Sequence, residues 1–267
     1  MPVSEAIELA AVKDLFLAAP AQLAAQHGIE VAEVSGLTVT AVRDMPSNSM
    51  LDRVLGVGLE APADEAALDE ICAWFEQRGV DLFVSVAPVA RPAALPAWLA
   101  GRGFEPAWAW MKFVRGVGPL PEPEYALVVE HVEPADAGAF GRIVTTAFGM
   151  PGWVGEWLAA LPGRRGWTVH VAREDGIAVG AAGFYLEGGA AYFTFGSVLP
   201  EHRGKGVQRA LFAARIRDAA ALGCEVLVTD TGVQEPGKPS FSYANILRAG
   251  FEEQYARPNY VRRATRG

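Results

Sequence analysis

Leu199-Pro-Glu-His-Arg-Gly-Lys-Gly-Val-Gln-Arg-Ala-Leu211 decides how this chain is read. Upstream, Ala190 to Val198 is an apolar, aromatic run with the character of a strand, and Pro200 ends it. Downstream, Val207, Ala210, Leu211 and Ala214 recur at i, i+3, i+4 and i+7, the spacing of one helix face. Gly204 and Gly206 therefore fall where a strand gives way to a helix N-terminus, and glycine lets the backbone approach a ligand closely. The first amides of a helix have no intrahelical acceptor and the helix dipole is positive there, so the junction suits an anion. Arg203, Lys205 and Arg209 add positive charge, and a diphosphate fits.

Two common diphosphate loops do not match. A P-loop needs Gly-Lys followed by Ser or Thr for magnesium, whereas Gly206 follows Lys205. A dinucleotide site wants a third glycine, and that position is Arg209.

The stretch resembles the acetyl-CoA loop of the GNAT acetyltransferases, whose motif reads Arg/Gln-x-x-Gly-x-Gly/Ala; here it is Arg203, Gly206 and, departing from the pattern, Gln208. The order of meander strand, loop, long helix (about Gly206 to Leu222), strand (Glu225 to Asp230), short helix and Gly250-Phe251 is similar to that fold across residues 125–267. The resemblance implies that acetyl-CoA is held by Ser197, Val198, Arg203, Gly204, Lys205, Gly206, Val207, Gln208 and Arg209, with Asn245 as a further contact. It implies that pantetheine lies in a splay between Ala190–Val198 and Glu225–Asp230, and that an amide near Ser197 or Val198 serves as oxyanion donor. Many members carry a Tyr four residues before the closing Gly-Phe. That position is Ile246, so Tyr243 is the available acid, a role to weigh against packing on the sheet. Asp230 and Glu201 are the candidate bases; both are equally readable as exposed acids, and His202 as a surface or phosphate-adjacent residue.

Further out, the sequence suggests two units. Gly116 to Glu124, GVGPLPEPE, concentrates Gly, Pro and acid like a linker. The two halves end on one plan. A helix from Ala66 to Gln77, Gly79, a strand from Val80 to Val86, a short helix and Gly103-Phe104 answer the helix, Gly223, strand, short helix and Gly250-Phe251 of the second half. Phe104 to Arg115 and Phe251 to Arg262 are equally spaced. We expect an α+β (mixed α/β) protein of tandem GNAT-like domains, each a twisted mixed sheet flanked by helices: residues 1–118 without a cofactor loop, a linker at 119–124, and an acetyl-CoA-binding domain at 125–267. In the first half, Glu60-Ala-Pro-Ala-Asp-Glu65 stands where the loop would be, and its acids would repel a diphosphate. That half would close a substrate cleft, make a dimer contact or serve as support.

Within the second half, Tyr125–Val132, Trp167–Arg173, Ile177–Leu186 and Ala190–Val198 read as strands, with Asp175-Gly176 marking a hairpin; Pro134–Phe148 and Trp153–Leu161 read as helices. Strand alternation would put Phe193 and Phe195 on one face, as core or as pocket lining.

The chain has 267 residues, 51% hydrophobic and 20% charged, which excludes a disordered or collagen-like protein. Cys72 and Cys224 are too few for a disulfide framework or a zinc cage and suit a reducing cytoplasm. Leu15 to Ala25 is too short and too interrupted for a membrane span and reads as a surface helix, so no export or membrane signal is expected. Net charge is −8, with 15 acids against 8 bases in residues 1–118 and 16 against 15 in the remainder. An acidic surface disfavours nucleic acid and tolerates a cationic substrate. His27, His131 and His170 lack companions at ligand spacing, so no metal is expected. The expected function is direct transfer of an acetyl group from acetyl-CoA to a primary amine of a small molecule or peptide, in a cytoplasmic protein that could form a homodimer. The rival is a non-catalytic acyl-CoA sensor or scaffold.

Overall fold

The structure is a computed structural model describing residues 1–120, 127–235, 237–238 and 240–265. In chain order it comprises α1 (Val3–Leu17), α2 (Ala21–His27), β1 (Ile29–Val34), β2 (Leu37–Val42), β3 (Arg53–Val54), α3 (Glu65–Glu76), β4 (Leu82–Ser85), α4 (Leu95–Gly101) and β5 (Glu105–Gly116). The second half supplies β6 (Val128–His131), α5 (Ala137–Phe148), α6 (Gly152–Leu158), β7 (Trp167–Glu174), β8 (Ile177–Glu187), β9 (Ala190–Val198), α7 (Val207–Ala221), β10 (Val226–Gly232), α8 (Phe241–Arg248) and β11 (Glu252–Arg262). Of the linker at 119–124, Pro121 to Glu124 lie outside the described residues, as do Tyr125 and Ala126 of the strand expected there.

Among the described residues the strands form one mixed sheet in the order β1-β2-β3-β4-β11-β5-β10-β9-β8-β7-β6. From the β11–β5 pair outward, the order is symmetric. β4 and then β3 lie on one side, β10 and then β9 on the other, with antiparallel and then parallel pairing in both directions. The internal repeat thus appears as a quasi-twofold arrangement in which each half lends its last strand to the other: β5 pairs with β10 across Val226↔Gly116 to Gly232↔Trp110, and β11 pairs with β4 across Asn259↔Ser85 to Arg262↔Leu82. Where two sheets were expected, the exchange joins them through the long β5–β11 ladder.

The stretch Leu15–Ala25, expected as one surface helix, is divided at Pro20 between α1 and α2 and keeps Leu17, Ala21, Gln22 and Ala25 exposed, whereas the earlier part of α1 is buried. In α1, Ile7, Ala11, Val12 and Phe16 join a core with Phe140, Ile143, Val154 and Trp157 of the second half. Trp157 Nε1 donates to Leu15 O at 2.9 Å, and Arg164 and Trp167 both reach Asp14. The second half of the chain supplies the apolar partner of α1, which the local pattern does not reveal.

Buried charge marks the same junction. Glu8, 1% exposed, accepts from Arg53 at 2.7 Å, from Arg257 at 2.6 Å and from Lys112, while Glu5 accepts from Arg257 at 2.7 Å. Burial alone would raise the Glu8 carboxyl, but Arg257, Lys112 and Arg53 overcome it and hold it well below the ordinary 4.5. These partners come from β3, β5 and β11, so α1 is tied to the exchanged strands by charge. Glu8→Gln leaves three buried cations short of a counter-charge and is expected to cost about 3–5 kcal/mol in urea unfolding. Because the folded-state carboxyl is depressed, its contribution is complete above pH 4.5 and lost as pH falls toward the folded value, so the acid-induced loss of stability should be shallower in the variant.

Candidate functional site

β9 and β10 pair in parallel only over Val226↔Ala190, Leu227↔Ala191 and Val228↔Tyr192. Beyond that point a side chain takes over, Thr229 Oγ1 donating to Phe193 O at 3.0 Å, and the strands part. A bulge in β9 follows. Between Gly183↔Thr194 and Ala181↔Ser197, the single residue Ala182 of β8 opposes both Phe195 and Gly196. Phe195 takes φ 58°, a conformation an L-residue adopts only under local constraint.

The bulge also corrects the expectation for the two phenylalanines. Phe193 packs with Phe184, Phe212 and Phe251 beneath α7, whereas Phe195 packs on Phe140 and Trp167 beside α5. One extra residue breaks the alternation that would have kept them on one face. An isolated glycine inside a strand run, Gly196, was the available sign.

A cavity of about 1030 Å³ opens at this parting and is lined from both faces of the sheet. On one side stand α7 and α8 with Gln208, Phe212, Arg215, Asn245 and Ile246; on the other, Val154, Trp157 and Trp167. The first half contributes Ala11, Val12, Leu15, Leu51, Arg53 and Trp110 to this second wall.

The loop that leads from β9 into α7 borders the cavity with Arg203, Gly204, Gly206, Val207, Gln208 and Arg209. Gly206 is the N-cap of α7 at φ 79°, ψ 2°, and no side chain caps the helix. The leading amides of α7 are thus free of side-chain competition at a positive dipole end. A Cβ added at Gly204 would meet nothing within 4 Å, leaving room beside the loop. Lys205 does not stand free: its Nζ lies 3.1 Å from Glu174 Oε2, which also contacts His202 Nδ1 at 2.6 Å. Lys205 and His202 together lower the Glu174 carboxyl.

Of the expected oxyanion donors, Val198 faces the splay. Leu199 N–H donates to Val179 O at 2.9 Å on β8, so alternation turns the Val198 amide toward the open edge and that of Ser197 toward β8. Ser197 is buried, its hydroxyl donating to Ala181 O.

The acid–base candidates separate. Asp230 lines the cavity and accepts from Tyr192 Oη at 3.0 Å and Lys112 Nζ at 2.9 Å. Glu201 is exposed in the 3-10 turn Pro200–His202 and is not among the lining residues. Tyr243 is buried, edge-on to Phe113, and donates to Glu253 at 2.5 Å; it does not line the cavity. Burial, with Glu253 beside it, pushes its phenol up to about 12. Asn245 lines the cavity and accepts from Arg248 through Oδ1 at 3.1 Å. The sequence reading missed Tyr192 on β9 and Ser242 on α8, which nothing in the local pattern marked as facing the cavity.

Away from the cavity, His131 and His170 stand opposite each other on β6 and β7, and both Nε2 atoms reach Asp218 Oδ2, at 2.6 and 2.7 Å. Register supplies the companions their sequence spacing lacked. The three ligand-type atoms lie within 4.8 Å of one another, close enough for an ion, and already satisfy one another by hydrogen bonds.

Residues 146–244 match the family model of the acetyltransferase (GNAT) family. No curated protein matches the chain. Among solved structures, a GCN5-related N-acetyltransferase from Kribbella flavida is 17% identical, with 99% of this chain and 97% of that chain covered and a TM-score of 0.68. A GCN5-related N-acetyltransferase from Sphaerobacter thermophilus is also 17% identical, covering 76% of this chain and 68% of that one at a TM-score of 0.63. A tandem GNAT protein from the clavulanic acid biosynthesis pathway is 15% identical, covering 86% and 79% at a TM-score of 0.61. At these identities the likeness is one of fold.

Tyr243 anchors α8 to β11 from outside the cavity. Tyr243→Phe is expected to lower stability by about 1 kcal/mol in urea unfolding through the lost bond to Glu253, and to leave coenzyme A affinity unchanged in titration calorimetry. A fall in affinity with unaltered stability would place the hydroxyl in the cavity after all.

Proposed function

We propose, from the GNAT acetyltransferase domain carried by residues 146–244, that this protein is an acyl-CoA-dependent N-acyltransferase and that its diphosphate site is the N-terminus of α7. The observation that carries the reading is the uncapped helix end at Gly206, opening onto a cavity at the splay of β9 and β10. Leading amides of α7, with Arg203 and Arg209, would hold the diphosphate, and pantetheine would enter between the parted strands in place of the missing backbone ladder. The residues present fit that ligand. Its thioester, once bound, supplies the acyl group.

The acceptor would be an amine, entering from the wall made by α1, α6 and Trp110. An alkyl ammonium, with a pKa of about 10.4, must lose a proton before its nitrogen can attack. Among the described residues Asp230 is the acid that lines the cavity, and we assign it to hold or relay that proton, with Tyr192 and Lys112 fixing its carboxylate. The nitrogen then bonds to the thioester carbonyl carbon while the Val198 amide steadies the oxygen's developing charge. As the C–S bond breaks, the nitrogen sheds its second proton and the sulfur, leaving as thiolate, takes that proton up, giving an amide and free coenzyme A. Most of the acceleration would come from holding the two substrates together.

Among the described residues, no helix is long and apolar enough to cross a membrane. Two buried, unpaired thiols, Cys72 and Cys224, support placing the protein in the cytoplasm. Ile246 in the cavity wall and the inward-turned Tyr243 favour one second reading, an acyl-CoA sensor without turnover.

Gly206→Glu sets an acid at the helix end and a side chain at φ 79°, and should weaken coenzyme A binding about 100-fold in calorimetry. Unchanged binding would contradict the diphosphate assignment. With acetyl-CoA and a panel of primary amines, wild-type protein should release thiol with at least one acceptor; coenzyme A binding without release for any amine would contradict transfer and favour the sensor.

A further inference from the structure

Arg215 on α7 has no function in the reading so far. It is 2% exposed, yet it borders the cavity. Its guanidinium lies against both Phe193 and Phe212, 4.7 and 4.5 Å from their ring centroids. Nε donates to Leu211 O at 3.2 Å, and Nη1 stands 3.5 Å from Gly183 O. Nη2 has no hydrogen-bond partner among the described residues. Among the described residues no carboxylate pairs with this cation, and burial pushes it down to about 9. A guanidinium buried against aromatic rings with an unpaired donor is costly unless an anion completes it.

The direction of that donor is fixed by the bulge. A Cβ built on Gly196 would lie 3.9 Å from Arg215 Nη2, 3.3 Å from Gln208 Oε1 and 3.7 Å from Gln208 Nε2. Two side chains on the same face of α7, about two turns apart, therefore converge on the space that Gly196 leaves by having no side chain. Gln208 stands where the motif has Gly or Ala, and so puts a polar side chain at this position. Val198, whose amide faces the splay, is two residues along the same strand, a separation of roughly 7 Å.

We propose that Arg215 and Gln208 form a subsite for a carboxylate on the acyl group, so that the preferred donor is a short dicarboxylic acyl-CoA such as the succinyl thioester rather than acetyl-CoA. The inference rests on the acyl-CoA reading above. Arg215 Nη2 and the Gln208 amide offer two donors to the two oxygens, and three carbon–carbon bonds link a succinyl carboxylate to its thioester carbonyl carbon. A carboxylate on the acceptor would be the other source of the same chemistry. The acyl group is favoured because both side chains project from α7, the helix that begins at the diphosphate site, whereas the acceptor wall is built from α1, α6 and Trp110 on the other face.

Titration calorimetry of coenzyme A, acetyl-CoA and succinyl-CoA tests this with the full chain. Wild-type protein should bind succinyl-CoA about 10-fold more tightly than acetyl-CoA. Arg215→Met should erase the difference while leaving free coenzyme A affinity within about twofold, and Gln208→Leu, at a less buried position, should reduce it. Equal affinities of the wild type for the two thioesters, or a preference that survives both substitutions, would overturn the subsite. So would equal thioester affinities accompanied by Arg215-dependent saturation with an amino-acid acceptor, which would move the carboxylate to the acceptor. Failure of coenzyme A itself to bind would bring down the acyl-CoA reading and the subsite with it, a result distinct from binding without discrimination.

Discussion

Three residue pairs of parallel ladder, followed by separation, are the constraint on which the site depends. Had β9 and β10 continued side by side, the sheet would be closed between the two helical layers. The bulge at Phe195–Gly196 reinforces the parting by turning β9 away from regular alternation. Opening a sheet in its middle exposes unpaired amides and carbonyls, which a buried position tolerates only when a ligand or side chain meets them. Thr229 meets one, and the proposed pantetheine would meet others.

Such a gap needs rigid borders, and the exchanged strands supply one. β5 closes the far edge of β10, β11 closes β5, and the pairing continues into β4 and the first half. The cluster around Glu8 fastens α1 over this junction, drawing cations from β3, β5 and β11. Asp230 shares Lys112 with that cluster while lining the cavity, so the carboxylate assigned to the amine's proton is positioned by the same charges that join the halves. The first half is therefore part of the cavity wall as well as part of the scaffold, through Leu15, Leu51, Arg53 and Trp110.

What could be read in advance follows from how local each signal is. The strand Ala190–Val198 was found at its full extent, and the helix after Gly206 nearly so, because proline, glycine and a regular apolar period act within a few residues. The exchange of β5 and β11 left no mark: Phe104–Arg115 and Phe251–Arg262 are alike in length and in their leading Gly-Phe, so swapping them preserves the pattern. The cation partners of Glu8 in α1 lie more than forty residues away, beyond the reach of any local pattern. Orientation on α8 was equally hidden. In an eight-residue helix, Tyr243 and Asn245 point to different sides, one toward Phe113 and Glu253 and the other into the cavity.

A crystal structure of the protein with coenzyme A bound tests the central claim most directly. The account predicts diphosphate oxygens within hydrogen-bond distance of the amides from Gly206 to Arg209, and the pantetheine chain running between β9 and β10. A diphosphate lodged elsewhere, with the helix end at Gly206 facing solvent, would contradict it.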